Sequence, residues 1–296
     1  MIRYKVTKAK LEQLVEAEAA GWLNAAKTKV EKFRQLQKYE EAQGTWSEIK
    51  NVYMVLQRGK CAYCERKLEG GELGKIEHDV EHFRPKSKVR AWPTAKIKQD
   101  LQLNYSFTTG NKADVGYYLL SYNIRNYATT CKVCNSTCKS DYFPIFGTAR
   151  FVDSDNFIQL KTEKPCLLYP IGSLDTDPEK IITFQGILPI PKGNPGSENY
   201  LRAQVTIDFF RLAVTREDLL RERALIIKSL YIAFLNKDNP NPLFRDDAQL
   251  TIDLALSETS PHTNCARSFY AVCEKDIQLA QQYYQAAVTY LKSKGF

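Results

Sequence analysis

Apolar residues in the first 60 positions follow the spacing of amphipathic helices. The segment 7–42 is rich in Ala, Glu, Lys and Gln and holds no proline, so it predicts helix with a weak point at Gly21. The apolar residues at three- and four-residue steps are Leu11, Leu14, Val15, Ala19, Ala26, Val30, Phe33 and Leu36. We expect them to pack against the rest of the fold rather than to carry chemistry.

A further helix is predicted just before the first cysteines. Thr45-Trp46-Ser47-Glu48 has the Ser/Thr-x-x-Glu form of a capping box. The helix it opens has an apolar face of Trp46, Ile49, Tyr53 and Leu56. Gly59 can end this helix in a left-handed conformation, which delivers the chain directly to Cys61.

Shorter alternating runs predict strands in the middle of the chain. Residues 75–83 alternate as a strand does, 117–122 is the second strand candidate, and 84–116 predicts an irregular basic insertion. Runs such as Phe157-Ile158, Leu167-Leu168-Tyr169 and Ile181-Ile182-Thr183-Phe184 predict a β-rich connector. Helices are expected again at about 198–212, 215–235, 247–257 and 264–293. The fold class is therefore α+β and mostly helical.

These patterns predict four regions in this 296-residue chain. They are an N-terminal helical region (1–57), a core with the basic insertion (58–150), the β-rich connector (151–196) and a C-terminal helical region (197–296). A chain of this length can bury a substantial core in one domain or two.

Charge is concentrated in the first half. The net charge is +8, and residues 1–150 hold 26 Lys/Arg against 16 Asp/Glu, whereas the remainder holds 16 against 18. A basic excess of this kind is typical of a nucleic-acid-binding face but does not by itself decide the partner. No apolar run reaches the length of a membrane span, and the first residues lack a secretory h-region, so we expect a cytoplasmic protein without membrane contact.

Two Cys-x-x-Cys pairs, Cys61-Ala62-Tyr63-Cys64 and Cys131-Lys132-Val133-Cys134, are the strongest local motif. Under reducing conditions such thiols are metal ligands or buried groups more often than disulfides. Two pairs supply the four thiolates of a closed tetrahedral zinc site, here one that clamps distant segments. Four buried structural thiols are the alternative. The other four cysteines have no partner spacing and are expected to be small buried residues: Cys138, Cys166, Cys265 and Cys273.

The stretch Glu81-His82-Phe83-Arg84-Pro85-Lys86 lies between the two pairs. His82 suits a general base, since imidazole titrates near neutrality, and Glu81 offers a hard oxygen to Mg²⁺. Asn135, directly after Cys134, can add a neutral oxygen. The basic residues that follow suit a nucleic-acid backbone, although such a run is more often a solvated loop: Arg84, Lys86, Lys88, Arg90, Lys96 and Lys98.

Taken with Asn126, Lys139 and Phe143-Pro144, these motifs resemble the zinc-stapled HNH endonuclease family. The resemblance covers about 58–146 and implies a small zinc-stapled ββα-metal core holding one divalent ion, Mg²⁺ or Mn²⁺, besides the structural Zn²⁺. It implies Glu81 and Asn135 as ligands of that ion, His82 as the base that activates water, and Asn126 as the brace of the hairpin loop. Lys139 joins the basic residues expected to contact nucleic acid.

The segments 117–123 and 165–170 resemble, more weakly, a bacterial subgroup often encoded near ATPases in Septu-type and retron anti-phage systems. The expected function is therefore a metal-dependent DNA endonuclease in phage defence, with a partner ATPase. The alternative is a non-catalytic zinc-stabilised nucleic-acid-binding or scaffold protein. Two departures from the family pattern are the acidic ligand, which is Glu81 rather than the commoner Asp, and the long gap before Asn126.

The sequence leaves several points open: DNA or RNA, single or double strands, sequence specificity, the mode of activation and the oligomeric state. The remaining histidines carry smaller expectations. His78 shares a strand face with His82 and is expected to pack or lie at the surface rather than to act in catalysis. His262, in Ser260-Pro261-His262-Thr263, is expected to be solvent-exposed.

Overall fold

A computed structural model describes residues 1–71, 74, 77–213 and 215–295. The fold is α+β and mostly helical, as predicted, with two small antiparallel sheets among the described residues. The chain divides into two compact units. The hairpin unit comprises Arg3–Ala62 and Leu68–Thr176, and the helical unit comprises Met1–Ile2, Tyr63–Lys67 and Asp177–Phe296. The division into four regions drawn from the sequence stays a prediction.

The hairpin unit begins with the expected helices. Helix α1 is Lys8–Glu18 and α2 is Trp22–Leu36, with left-handed Gly21 between them. A 3₁₀ turn, Trp46–Ile49, leads into α3, Lys50–Leu56. Thr45 does not form the predicted capping box, because its hydroxyl instead accepts a hydrogen bond from Lys29 Nζ at 3.1 Å.

The first sheet of the hairpin unit pairs β1, His78–His82, with β2, Tyr127–Cys131. The strands are antiparallel, with His78 opposite Cys131 and His82 opposite Tyr127. The prediction of a strand at 117–122 was wrong, because Tyr118–Leu120 forms a 3₁₀ turn and a second turn, Ile124–Asn126, follows it. The predicted first strand began at Lys75, which lies outside the described residues.

Shorter elements complete the hairpin unit. Helix α4, Ala95–Asp100, lies inside the basic insertion. A π-helix, Val133–Lys139, follows β2 after one residue. Helix α5, Phe157–Lys161, replaces the predicted β run at Phe157-Ile158, since the Asn156 side chain caps it by accepting from Ile158 N. The connector is thus less β-rich than expected.

The helical unit holds the second sheet and the longest helices. Helix α6 is Pro178–Ile181, and strands β3, Ile182–Gln185, and β4, Leu188–Pro191, form a hairpin. The helices that follow are α7 Glu198–Phe209, α8 Glu217–Asn236, α9 Pro242–Leu256, α10 Thr263–Lys275 and α11 Ile277–Ser293. The single last helix predicted at 264–293 is broken at Asp276, whose extended backbone and carboxylate cap α11 through Leu279 N.

The hydrophobic core of the hairpin unit joins its helices to its sheet. Apolar faces of α1, α2 and α3 meet residues of both strands and of the 3₁₀ turns. Among the buried members are Val15, Phe33, Tyr53, Val80 and Tyr127. Trp46 is half-buried and packs against this core. The sheet edge that carries Glu81 and His82 is therefore fixed from one side by a packed helical layer.

Candidate metal centre and hairpin site

The four cysteines of the two Cys-x-x-Cys pairs form one buried cluster: Cys61, Cys64, Cys131 and Cys134. Their Sγ atoms all lie within 4.8 Å of one another. Tetrahedral zinc with Zn–S bonds of about 2.3 Å places its sulfurs ~3.8 Å apart, so the cluster fits a structural zinc ion. The other four cysteines are buried, as expected: Cys138, Cys166, Cys265 and Cys273.

The first knuckle is brought to β2 by a residue that the sequence did not single out. The Gln57 side chain is buried, accepts from Thr129 N and donates to Thr129 O, each at 2.8 Å. Gly59, with φ 65°, then turns the chain, and Ala62 N also donates to Thr129 O. These bonds align residues 57–62 beside the strand that ends at Cys131.

His82 is held by contacts on three sides. Its ring lies edge-on between Trp46 and Tyr127, with centroids 4.8 and 4.9 Å away and interplanar angles of 86°. Nε2 is 3.0 Å from the Ser121 carbonyl oxygen. Since a carbonyl only accepts, Nε2 carries the proton, and the basic lone pair of the neutral ring is on Nδ1. Burial lowers the pKa of His82 well below its usual value, and the charge of Lys86 adds to the effect.

Asn126 joins the two ends of the hairpin loop. Its Oδ1 accepts from Arg84 N at 2.8 Å, and its Nδ2 donates to the carbonyls of Arg84 and Leu120 at 3.0 and 3.1 Å. Its own carbonyl accepts from Phe83 N. The side chain is buried and bonded through both amide atoms. It therefore fixes the backbone that directly follows His82.

Glu81 is buried beside a buried lysine. Its Oε1 lies 3.2 Å from Nζ of Lys139, whose side chain is 0% exposed. Burial raises the pKa of Glu81 to about 7, while Lys139 acts against the rise. Burial likewise lowers the pKa of Lys139, against the opposing effect of Glu81. The opposite formal charges make the contact an ion pair, although among the described residues the Lys139 ammonium finds no hydrogen bond of good geometry.

Asn135 lies on the π-helix, four residues before Lys139. It is half-buried, and its carbonyl accepts from Ser140 N at 2.7 Å. In a helix with i→i+5 bonding, residues four apart lie close on one face. The face that carries Lys139 to Glu81 is therefore the face on which Asn135 lies.

The predicted nucleic-acid-binding residues separate into two groups. Arg84 and Lys139 are buried, so neither belongs to an exposed basic surface. Arg84 is paired with Glu163. Lys86 is half-buried, with Nζ over the rings of Trp46 and Tyr39 at 4.5 and 5.1 Å.

Lys88 and Arg90 are exposed. Arg90 donates to the Ser140 hydroxyl at 2.7 Å and lies over the Tyr142 ring. Its backbone N–H donates to the carbonyl of Asp141, a residue whose charge bears on both Glu81 and Lys139. The structure thus brings Glu81, Lys139 and the insertion together. No sequence motif pointed to Asp141.

The remaining histidines are interior. His78 is buried and its Nε2 lies 2.9 Å from the Glu69 carbonyl oxygen, in line with a packing role. His262 is also buried, so the expectation of exposure was wrong. Its ring bonds Glu222 at 2.8 Å, and its backbone takes the left-handed conformation that begins α10.

Among the helices of the described residues, none combines the length and apolar character that a membrane span requires. No family model matches the chain, and no solved structure matches it. A stretch of 184 residues is 26% identical to the Septu protein PtuB of Bacillus mycoides (strain KBAB4). The match covers 62% of this chain and 52% of PtuB, so the chain spans about half the length of that curated relative.

Proposed function

We propose that this protein is a metal-dependent endonuclease of the HNH type that hydrolyses DNA phosphodiester bonds. The observation that carries the proposal is how His82 is held: the ring is buried, and its Nε2 lies 3.0 Å from the Ser121 carbonyl oxygen, which leaves the lone pair of the neutral ring on Nδ1. A neutral imidazole of fixed tautomer is the form that a general base requires. It stands next to Glu81, the carboxylate proposed to hold a divalent ion.

The roles of the chain's own groups follow from their positions. Nδ1 of His82 accepts the proton of the attacking water, and the Ser121 carbonyl holds the ring in orientation through Nε2. Asn126 keeps the following backbone fixed. Glu81 and Asn135 offer the oxygen donors that Mg²⁺ and Mn²⁺ prefer. The bound ion would supply stabilisation of the charge on the phosphate and on the departing oxygen.

The exposed cations next to this site favour a polyanionic substrate. Lys88 and Arg90 reach solvent, and Lys86 is held over Trp46 within the influence of Glu81 and His82. Contacts of this kind neutralise backbone phosphates without reading sequence. DNA is the proposed substrate, with RNA as the alternative outcome of the same assay.

The proposed biological setting is antiviral defence in bacteria, within the cytoplasm. It is supported by the similarity to the Septu protein PtuB over 184 residues. A second defence protein, expected to be an ATPase, is the proposed partner. A nuclease with a complete active site would cleave the DNA of its own cell unless its activity were controlled. The proposed partner would supply that control.

The test is cleavage of supercoiled plasmid with Mg²⁺ or Mn²⁺. We expect His82→Ala to reduce the rate by about 10²–10⁴, the usual contribution of a general base. His78→Ala is the matched control, since it removes a second buried histidine of the same strand, and it should keep cleavage within about threefold. Circular dichroism and zinc content establish equal folding of the three proteins.

Two results would contradict the proposal. Equal cleavage by His82→Ala and the parent protein excludes His82 as the base. A parent protein that binds DNA but cleaves neither DNA nor RNA with either ion supports the alternative, a non-catalytic zinc-stabilised nucleic-acid-binding or scaffold protein. The ion pair of Glu81 with Lys139 is the observation that favours this second function, because it already neutralises the proposed ligand.

A further inference from the structure

Lys139 is fully buried although it carries a charge. Its side chain is 0% exposed, and Nζ lies 3.2 Å from Oε1 of Glu81. An unpaired ammonium is expensive to bury, so Glu81 is what holds the charged form in place. Lys86, by contrast, is half-buried over two aromatic rings. Lys139 is thus the cation in direct contact with the proposed ligand.

We infer that Lys139 occupies the cation position at Glu81 in the ion-free protein, and that a divalent ion binds there only by displacing its ammonium. The inference rests on the proposed function, which makes Glu81 a ligand. A carboxylate oxygen paired with an ammonium at 3.2 Å cannot also bind a dication without strong repulsion between the two cations. Lys139 therefore weakens ion binding by direct competition.

A second carboxylate near Lys139 can accept the displaced ammonium. Asp141 is half-buried, lies two residues after Lys139 and is within electrostatic range of its ammonium. The four-carbon stem of lysine lets its charge move while its Cα stays in place. The ammonium can thus pass from Glu81 to Asp141, or to a phosphate oxygen of bound substrate, without unfolding the π-helix.

The π-helix then carries both a proposed ligand of the divalent ion and the cation that competes with that ion. Asn135, the second proposed ligand, and Lys139 belong to the same π-helix. Such helices are frequent at functional sites. Release of Lys139 and engagement of Asn135 would make ion occupancy sensitive to the position of this short helix, which ends beside the Arg90 contact at Ser140.

The experiment measures Mn²⁺ affinity of the zinc-loaded full chain by electron paramagnetic resonance of free Mn²⁺, at pH 8.5 to keep carboxylates ionised. We expect Lys139→Gln to bind Mn²⁺ at least about tenfold more tightly, as coupling between close buried charges predicts. Lys139→Arg keeps a cation at Glu81 and should show no gain in Mn²⁺ affinity, because the guanidinium also pairs with the carboxylate. Lys132→Gln, which removes an exposed cation directly before the π-helix, is the matched control.

The outcomes separate this inference from the proposed function. If the parent protein binds Mn²⁺, loses it in Glu81→Gln and cleaves DNA, while Lys139→Gln binds no more tightly, competition by Lys139 is wrong and the nuclease proposal stands. If the parent protein binds no Mn²⁺ through Glu81 and cleaves nothing, both are wrong.

A second measurement uses the unaltered chain, in case Lys139→Gln does not fold. Reductive methylation with peptide mapping reports the access of reagent to each lysine. We expect Lys139 to be protected without Mn²⁺ and labelled when Mn²⁺ is saturating, whereas exposed Lys132 labels equally in both. Continued protection of Lys139 at saturating Mn²⁺ would overturn the inference.

Discussion

Two buried ion pairs flank His82, and they are built very differently. Glu81 precedes the histidine and pairs with Lys139, whereas Arg84 follows it and pairs with Glu163. All four side chains are nearly inaccessible, with exposed fractions of 7% or less. The same stretch of chain therefore buries two pairs of opposite charges within four residues.

The Arg84–Glu163 pair is surrounded by further partners. Arg84 also donates to the Leu160 carbonyl at 2.8 Å, and its guanidinium lies over the rings of both Tyr117 and Phe143. Glu163 accepts from the Tyr117 hydroxyl at 3.0 and 3.1 Å. A buried pair whose remaining donors and acceptors are satisfied fixes structure.

The Glu81–Lys139 pair has much weaker support. Within the part of the chain that the structure describes, the lysine ammonium makes no well-aligned hydrogen bond, and burial shifts the pKa values of both groups toward their neutral forms. Such a pair contributes little net stability, because its desolvation is poorly compensated. The difference teaches that burial alone does not make two ion pairs equivalent: the first is tied into the loop by further partners, while the second depends on the contact between its two charges.

The largest effect is expected when the four-cysteine cluster, which anchors the hairpin next to both pairs, is broken. Cys131→Ser deletes one zinc thiolate at the end of β2, and structural zinc contributes on the order of 10 kcal/mol to folding. We expect loss of bound zinc and of cooperative thermal unfolding, measured by elemental analysis and calorimetry. Cys138→Ser, which changes a buried cysteine of the π-helix outside the cluster, should keep the zinc. A Cys131→Ser protein that retained zinc and its melting temperature would exclude the clamp.

The next largest effect is expected for the Arg84–Glu163 pair, whose remaining donors and acceptors are hydrogen-bonded. Glu163→Gln leaves the buried Arg84 charge unpaired and should lower the free energy of unfolding by about 3–5 kcal/mol, measured by urea denaturation. Glu179→Gln, which breaks the half-exposed pair with Arg267 in the helical unit, should change it by less than about 1 kcal/mol. Equal losses in the two variants would remove the structural role assigned to Arg84.

Glu81→Gln should separate activity from stability. Lys139 can lose its proton when its partner is neutral, since its pKa is already lowered, so the unfolding free energy should fall less than in Glu163→Gln. Plasmid cleavage should fall by about 10² or more, the scale expected when metal-assisted charge stabilisation is lost. The two measurements are made on one preparation. Destabilisation as large as that of Glu163→Gln would make Glu81 a structural residue.

The smallest effect concerns a third acid–base contact, that of buried His262 with half-exposed Glu222 in the helical unit. Burial lowers the pKa of His262 below its unfolded value, and Glu222 offsets only part of the shift. Below about pH 6.5 the unfolded chain therefore binds the extra proton first, and stability falls as pH falls, by at most about 1.4 kcal/mol per pH unit.

His262→Gln should reduce this slope. Urea denaturation at pH 7.5 and 5.5 compares the two proteins, in which His78 and His82 contribute equally. The Glu222 pKa is lowered from an already acidic value, so its titration lies below this window. An unchanged slope in His262→Gln would show that folding does not shift the His262 pKa.

The spacing of apolar residues predicted the elements that have one buried and one exposed face. The N-terminal helices and the fold class followed from apolar spacing, and the four-cysteine cluster followed from the repeated Cys-x-x-Cys. Strand β2 was missed because all five of its residues are buried, so the run Tyr127–Cys131 has no alternation to detect.

The pattern of charged residues along the chain did not indicate which charged side chains are buried. Arg84 and Lys86 are two residues apart in a basic run, yet one is enclosed with Glu163 and the other lies over Trp46. Lys139 is preceded and followed by polar residues, which suit a surface, yet it is buried. Pairing with a carboxylate 58 or more residues away decides each interior position, and local sequence holds no signal for it.

The zinc cluster also carries a consequence for biosynthesis. Cys64 and Cys134 leave the ribosome 70 residues apart, an interval of roughly 4–14 s at ordinary rates of bacterial translation. For most of that time the cluster has only the two thiolates of Cys61 and Cys64. The strand that carries His82 also lacks its partner strand, Tyr127–Cys131. A nascent chain of this protein therefore has neither the complete cysteine cluster nor the paired hairpin. Scarcity of zinc would prolong that period, so that the supply of the metal sets when the hairpin that carries His82 is closed.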